Sequence, residues 1–235
     1  MQKIRSHLGV IRDLFKNFYK LFIPHFLILK EVSVEGEDIK TFVFKNDKRI
    51  KYGAGQYGIW FQKRWISGKP WRLFSFASSP EESTIQLSTR ISNSNFKQKF
   101  SKLKIGDKVM MLGAVGEFTL PKKIPKKVVF VTGGIGITPI RSLIKHINEL
   151  SIPIETTLIH SGRGFYLYRN ELEKLVNFAH YTTHDDFDNI INQVIKQNKN
   201  AVFYLSGPPQ FIESARIILR NKKIRHIKID SFLGY

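Results

Sequence analysis

The 235-residue sequence contains no cysteine. That excludes disulfides, thiolate metal sites, iron–sulfur clusters and cysteine nucleophiles, so any redox chemistry must rest on a bound organic cofactor. The chain is also short of acid, with 19 Asp and Glu against 38 Lys and Arg and a formal net charge of +19. Such a field favours acidic partners, nucleic acid or an anionic membrane surface without choosing among them. Nucleic-acid readers show a clustered basic stripe with a reading helix or an aromatic platform. Here the cations are spread along the chain, so no specific nucleic-acid role is expected. No apolar run approaches the roughly 20 residues that span a bilayer. Residues 1–23 interleave charges with apolar residues, unlike a signal peptide. A cytoplasmic protein is expected.

What is present divides into three parts. Residues 1–24 place Ile4, Leu8, Ile11, Phe15, Phe18 and Phe22 at spacings of three or four among Lys3, Arg5, Arg12, Lys16 and Lys20. This predicts a basic amphipathic helix ended by Pro24, which could dock on the body of the protein, on a membrane surface or on a partner. Residues 25–123 carry short β-type runs at 39–44, 57–61, 84–90 and 108–112, separated by Gly, Pro, Asp and Ser turns, with one helical stretch over 95–103. They predict an antiparallel β-barrel. Residues 124–235 alternate strands (128–132, 155–160, 201–205, 224–229) with helices (139–150, 169–178, 187–197, 209–219), the signature of a parallel sheet with crossover helices. The hinge between the two larger parts is expected near 121–126.

Two turns in the last part point to a dinucleotide. The strand ending at Thr132 runs into Gly133-Gly134-Ile135-Gly136-Ile137-Thr138-Pro139, where glycines allow a pyrophosphate close to the backbone and the following helix offers its N-terminus. A second strand runs into Ser206-Gly207-Pro208-Pro209 and another helix. In the barrel part, Arg72-Leu73-Phe74-Ser75 puts Arg72 and Phe74 on one face of a strand and Leu73 and Ser75 on the other. His184-Asp185-Asp186 reads as a helix N-cap rather than a metal site, and His160 as a packed histidine.

Taken together and in order, these three elements resemble the ferredoxin–NADP reductase superfamily. Arg72 to Ser75 is similar to its Arg-x-Tyr-Ser flavin motif, Gly133 to Pro139 to its nicotinamide pyrophosphate turn, and Ser206-Gly207-Pro208 to its Cys-Gly-Pro motif. The resemblance covers about residues 26–235 and implies an FAD-binding barrel followed by a Rossmann-like NAD(P) half. It implies that Arg72 pairs with the flavin pyrophosphate, that Phe74 packs along the flavin, and that Ser75 hydrogen-bonds flavin N5. Ser88, Thr89 and Arg90 would line the flavin cleft, and Ser94, Phe96 and Lys97 would open the barrel helix toward the same pyrophosphate. Thr132, Gly133, Gly134, Gly136, Thr138 and Pro139, with Ser206, Gly207 and Pro208, would take the nicotinamide nucleotide. Ser161 and Arg163, after the second strand, would face a 2′-phosphate and favour NADPH over NADH. Tyr235, or Phe232 near it, would cover the flavin ring. The chain departs from the family in having Phe74 for the tyrosine, which removes one hydrogen bond worth about 0.5–1.5 kcal/mol, and Ser206 for the cysteine. The implied activity is hydride transfer from NAD(P)H to FAD, then electrons to an acidic carrier such as ferredoxin or flavodoxin. The alternative is a non-enzymatic basic flavin-fold module for membrane or partner attachment.

Overall fold

The computed structural model describes residues 23–36, 38–46, 50–61 and 70–231. The expected N-terminal helix therefore lies outside the described residues up to residue 22, as do Phe232 and Tyr235; Pro24 opens a strand.

The first half is built of β1 (Pro24–Val34), β2 (Ile39–Lys45), β3 (Tyr57–Phe61), β4 (Trp71–Ser75), β5 (Thr84–Arg90) and β6 (Lys108–Val115). They pair antiparallel in the order β4-β3-β6-β1-β2-β5. Alternation turns Leu27, Phe42, Phe44, Trp60, Leu87 and Met111 into one buried cluster. Just beyond β4 the edges of the sheet meet, where the Ala77 N–H donates to the Gln86 carbonyl at 2.7 Å, so the sheet curls into a barrel. Among the described residues, one helix of this half, α1 (Asn95–Phe100), plugs it with Phe96 and Phe100, the latter edge-on to Phe42 at 4.8 Å. It ends at Phe100, earlier than the pattern over 95–103 suggests, because residues 101–103 close in tight turns.

The second half alternates β7 (Lys127–Gly133), α2 (Ile137–Glu149), β8 (Glu155–Ser161), α3 (Arg169–Leu172), β9 (Phe178–Thr182), α4 (Phe187–Gln197), β10 (Val202–Gly207), α5 (Pro209–Asn221) and β11 (Ile227–Ser231). The sheet is parallel, ordered β11-β10-β7-β8-β9. The central strand β7 is buried on both faces, which is why it reads as an unbroken apolar run. One expectation is corrected. The helix predicted over 169–178 is a single turn, and Phe178 begins a fifth strand paired with β8. Leu172, Leu175 and Val176 carry helical spacing, but Asn177 Oδ1 accepts the Thr156 N–H at 2.8 Å and draws the chain onto the sheet. The alternating Phe178-Ala179-His180-Tyr181-Thr182 then suits an edge strand.

The two halves share a core. Ile39, Ala54 and Phe118 pack in one cluster with Ile140, Leu143 and Tyr204. Gly55, at φ +86°, lies where a Cβ would collide with the Phe118 carbonyl and come within 3.3 Å of Leu143 Cγ, so only glycine fits the seam. The connection toward β7 is fastened rather than slack, since Thr119 O accepts from Tyr204 Oη at 2.9 Å and Lys228 Nζ at 2.6 Å.

Candidate functional site

The parallel sheet reverses its growth between β7 and β10. The chain lays β7, β8 and β9 to one side and returns to add β10 and β11 on the other. Ligands of open α/β sheets sit outside the carboxyl ends of the strands at such a switch point. Both glycine turns meet there. A Cβ on Gly136 would strike the Ser206 carbonyl oxygen and lie 2.8 Å from Gly207 Cα, so the turns touch backbone to backbone. Gly134, at φ +54°, has nothing within 4 Å of a built Cβ and faces open space. The N-terminus of α2 follows with no side-chain cap and no acid in its first turn. Its N–H groups and positive dipole end suit an anion. Thr138 Oγ1 donates to Ile135 O at 3.2 Å, bracing the turn, and Pro139 occupies a first-turn position that needs no N–H.

Register sets Tyr181, His160, Thr132, Ser206 and Asp230 side by side in one row across the sheet. Thr132 Oγ1 and Ser206 Oγ are buried without a hydrogen-bond partner. Unpaired buried hydroxyls are costly, and a nucleotide at this edge would relieve them, so the residues fit the dinucleotide the turns imply. His160 Nε2 lies 3.0 Å from Gly134 O, and because a carbonyl only accepts, that nitrogen carries the proton. Burial holds the imidazole pKa at about 4 despite this bond, so the ring is neutral near pH 7 and pins the glycine turn. Ser161 is buried at the end of β8, and Arg163 stands exposed two residues further on. His184 and Asp185 precede α4 and Asp186 takes its N-cap position without a side-chain capping bond.

On the barrel, Arg72 Nη2 donates to Ser94 Oγ at 3.1 Å and its guanidinium lies 5.6 Å from the Phe96 ring centre. Lys97 is only 7% exposed, and its ammonium pKa is lowered by burial and then by the charges of Arg72 and Arg90. Arg90 is paired with Asp38. Three cations crowding one corner make a positive potential that suits a pyrophosphate. Phe74 is 8% exposed and packs into the barrel core against Phe100 at 5.6 Å and Phe96 at 6.0 Å, so little of its ring is left for a flavin. Leu73 faces the opposite way and is exposed. Thr89 is buried, and Ser88 Oγ is shared between Thr41 Oγ1 at 2.6 Å and the Tyr168 hydroxyl, which ties β5 to the α/β half.

Ser75 joins the two sites. Its Oγ donates to Asp230 Oδ2 at 3.3 Å, bringing the barrel strand β4 to the edge of β11 beside Ser206. The resemblance takes in the tail that starts at Asp230 but implies no role for Asp230 itself, which lies one residue from the carboxyl end of the last strand, where such sheets bind ligands. Burial raises its pKa to about 6, the Ser75 bond opposing the shift. The seam beside this site is held by Arg141, equally invisible in sequence, which bridges Glu82 of the barrel half and Glu171 of the α/β half.

No protein-family model matches the sequence. A tetrachlorobenzoquinone reductase of Sphingobium chlorophenolicum is 26% identical over 139 residues, 56% of this chain and 43% of that protein. A component of the Na(+)-translocating NADH-quinone reductase of Neisseria meningitidis is 26% identical over 216 residues, 76% of this chain and 53% of that one. The chain thus spans about half the length of these curated relatives. The crystal structure of a ferredoxin NADP+ reductase from Neisseria gonorrhoeae with bound FAD and NADP matches 89% of this chain and 99% of its own, with a TM-score of 0.75 at 19% identity. The six-stranded antiparallel barrel followed by a five-stranded parallel α/β half is therefore the ferredoxin reductase-type FAD/NAD(P)-binding flavoprotein fold.

Proposed function

We propose that the chain is an FAD-dependent NAD(P)H oxidoreductase that passes electrons to a separate acceptor. The observation that carries this reading is the Ser75–Asp230 contact, which sets the flavin-motif strand against the nucleotide edge of the parallel sheet. FAD, when bound, supplies hydride acceptance and the release of single electrons. The protein's residues bind and orient. Arg72 and Lys97 supply countercharge to a pyrophosphate, the Gly134 and α2 edge receives the nicotinamide nucleotide, and Ser75 presents a hydroxyl between them. The net charge of +19 suits an acidic carrier such as ferredoxin or flavodoxin, which a basic surface would steer. The purified protein should be yellow or become so on reconstitution with FAD. Arg72→Ala should lose about 1.5–3 kcal/mol of flavin affinity, read as a roughly 10- to 150-fold rise in the FAD dissociation constant. A wild type that stays colourless through reconstitution would sink the reading.

NADPH is proposed as the preferred donor, because Ser161 and Arg163 stand at the end of β8 with no carboxylate among residues 161–163 to favour a free 2′-hydroxyl. Arg163→Ala should lower kcat/KM for NADPH about tenfold and leave that for NADH within twofold, roughly the worth of one charge-assisted hydrogen bond. Equal effects on both would remove Arg163 from the 2′-phosphate site.

Asp230 gives the site a pH dependence. Above about 6 the carboxylate is ionised and takes the Ser75 hydrogen; below it the carboxyl can donate instead, freeing the Ser75 hydroxyl to donate to the flavin. Its negative charge also opposes electron density arriving next to it. The rate of flavin reduction by NAD(P)H, followed by stopped flow, should fall several-fold as pH rises through about 6. Asp230→Asn should flatten that step. A step that persists in the variant assigns it to another group.

A further inference from the structure

His160 has no part in the proposed electron transfer, yet it is built into the turn that would receive the nucleotide. It follows Leu158 by two residues on β8, so its side chain shares the face of the sheet on which α2 packs, at the carboxyl end of the strand. Nε2 donates to Gly134 O at 3.0 Å. Nδ1 is buried with no hydrogen-bond partner. A side chain that only filled this space would be better apolar, because an orphaned buried nitrogen costs free energy. The ring is also aimed. Tyr166 stands edge-on to it at 5.3 Å and Tyr181 tilts against it at 6.1 Å, while the Arg169 guanidinium lies 4.5 Å from the Tyr181 ring centre. Tyr166 reaches this place because Gly162 lacks a Cβ, which would come within 3.0 Å of its ring.

What the bond holds is one peptide group. Gly133 is still part of β7, paired with Ser161, and the Phe211 ring lies 2.8 Å from where its Cβ would stand. Gly134 has no such fence: its φ is +54° and a built Cβ finds nothing within 4 Å. A glycine in open space can turn the next peptide over at little cost. Here the Gly134 carbonyl receives two donors, the Ile137 N–H closing the 3₁₀ turn over Gly134–Gly136 and His160 Nε2. No peptide among the described residues is cis, so the N–H of the same group, on Ile135, points opposite to that oxygen. Drawing the oxygen inward to His160 therefore aims the Ile135 N–H away from the buried ring. We propose, on the reading of the Gly134 edge as the nucleotide site, that His160 is a positioning residue which presents the Ile135 N–H to a pyrophosphate oxygen of the nicotinamide nucleotide. An anionic oxygen accepts strongly from a backbone N–H. Fixing the peptide before the ligand arrives removes an ordering cost from binding. The pyrophosphate is common to NADPH and NADH, so His160 serves both alike, whereas Arg163 would separate them.

The full chain is titrated with ADP, NADPH and NADH by calorimetry, and the Ile135 amide is followed by NMR as ADP is added. ADP should move the Ile135 amide proton downfield. His160→Leu should weaken all three ligands by the same factor, roughly tenfold, the worth of one hydrogen bond to a charged group. It should also cut the Ile135 shift at saturation by about half or more, since the peptide is then free to turn. His160→Gln carries an amide N–H at comparable reach and should bind each ligand within about threefold of wild type. The flavin content of both variants should match wild type. If His160→Leu does not fold, His160→Asn, polar but too short to reach Gly134 O, takes its place. A variant without the donor that binds ADP as wild type does would make the ring mere packing. An equal loss in His160→Gln would assign the effect to the shape of the imidazole. Tight ADP binding with an unmoved Ile135 amide would remove that N–H from the contact. Each of these results overturns the proposal and leaves the nucleotide site standing, whereas a wild type that binds none of the three ligands overturns both together.

Discussion

Arg141→Ala should cost about 3–5 kcal/mol of folding stability, because it strips the partner from two carboxylates at the seam between the halves. Arg141 is 5% exposed, and all five of its guanidinium hydrogens are used. Nε and Nη2 form a fork on Glu171 at 2.7 and 2.8 Å, Nη1 and Nη2 reach Glu82 at 3.0 and 3.2 Å, and Nη1 also donates to the Ala77 carbonyl at 2.7 Å. Its charge sits 5.0 Å from the ring centre of Tyr168, whose hydroxyl bonds Ser88 across the seam. Burial works against the cation, but the bonds to Glu171 and Glu82 outweigh it and hold the pKa above its ordinary value. Lys145, 3.7 Å from both Glu82 and Glu171, softens the loss without replacing the fork. Arg141→Lys should recover less than half of it, since an ammonium cannot form two bidentate pairs. Urea denaturation measures the difference. A variant within 1 kcal/mol of wild type would show that solvent fills the site at little cost. Because Glu82 belongs to the barrel half and Glu171 to the α/β half, the same variant should also slow flavin reduction relative to NAD(P)H binding, by loosening the registration of the two proposed cofactor sites.

Why this seam is silent in the sequence, while the turns are not, follows from the range of the interactions. The glycine turns, the buried run of β7 and the alternation of β5 are set by neighbours a few residues apart, so local pattern reaches them. The bonds of Arg141 to Ala77 and Glu82 span 64 and 59 residues, and Ser75 meets Asp230 across 155. Arg141 lies on a helix, where a surface cation is the ordinary expectation, and nothing beside it in the chain tells that two acids wait opposite. Phe74 illustrates a subtler limit. Its alternation with Arg72 is legible, but whether the ring serves the core or a ligand depends on Phe96 and Phe100 arriving from α1, and they take most of it. At β9 a local rule misleads, since Leu172, Leu175 and Val176 keep helical spacing past the point where Asn177 binds the sheet.

Gly136→Ala should abolish measurable binding of the nicotinamide nucleotide and lower stability, while Gly134→Ala should do far less to the fold. The three atoms nearest a methyl group at position 136 are all backbone, with the Ser206 carbonyl carbon at 2.6 Å, its oxygen closer still, and Gly207 Cα at 2.8 Å. Neither turn can swing a side chain aside, so the end of β10 or the start of α2 must move. Either motion displaces Ser206 from its row beside Thr132 and Asp230 and breaks the alignment of the α2 N-terminus with the sheet edge. Overpacking of this kind costs about 1–3 kcal/mol where the surroundings can relax, and a backbone-on-backbone clash lies at or above the top of that range. Nucleotide affinity should therefore fall more than 100-fold, as followed by equilibrium titration of the flavin-loaded protein. At Gly134 the methyl group finds empty space, and the cost is only that of a left-handed residue at φ +54°, about 1–2 kcal/mol. The His160–Gly134 bond survives there because it uses the carbonyl, not the α-carbon. The ratio between the two variants is the decisive reading: equal losses would mean that the turn responds to any added carbon, and the packing of Gly136 on Ser206 would not be what shapes the site.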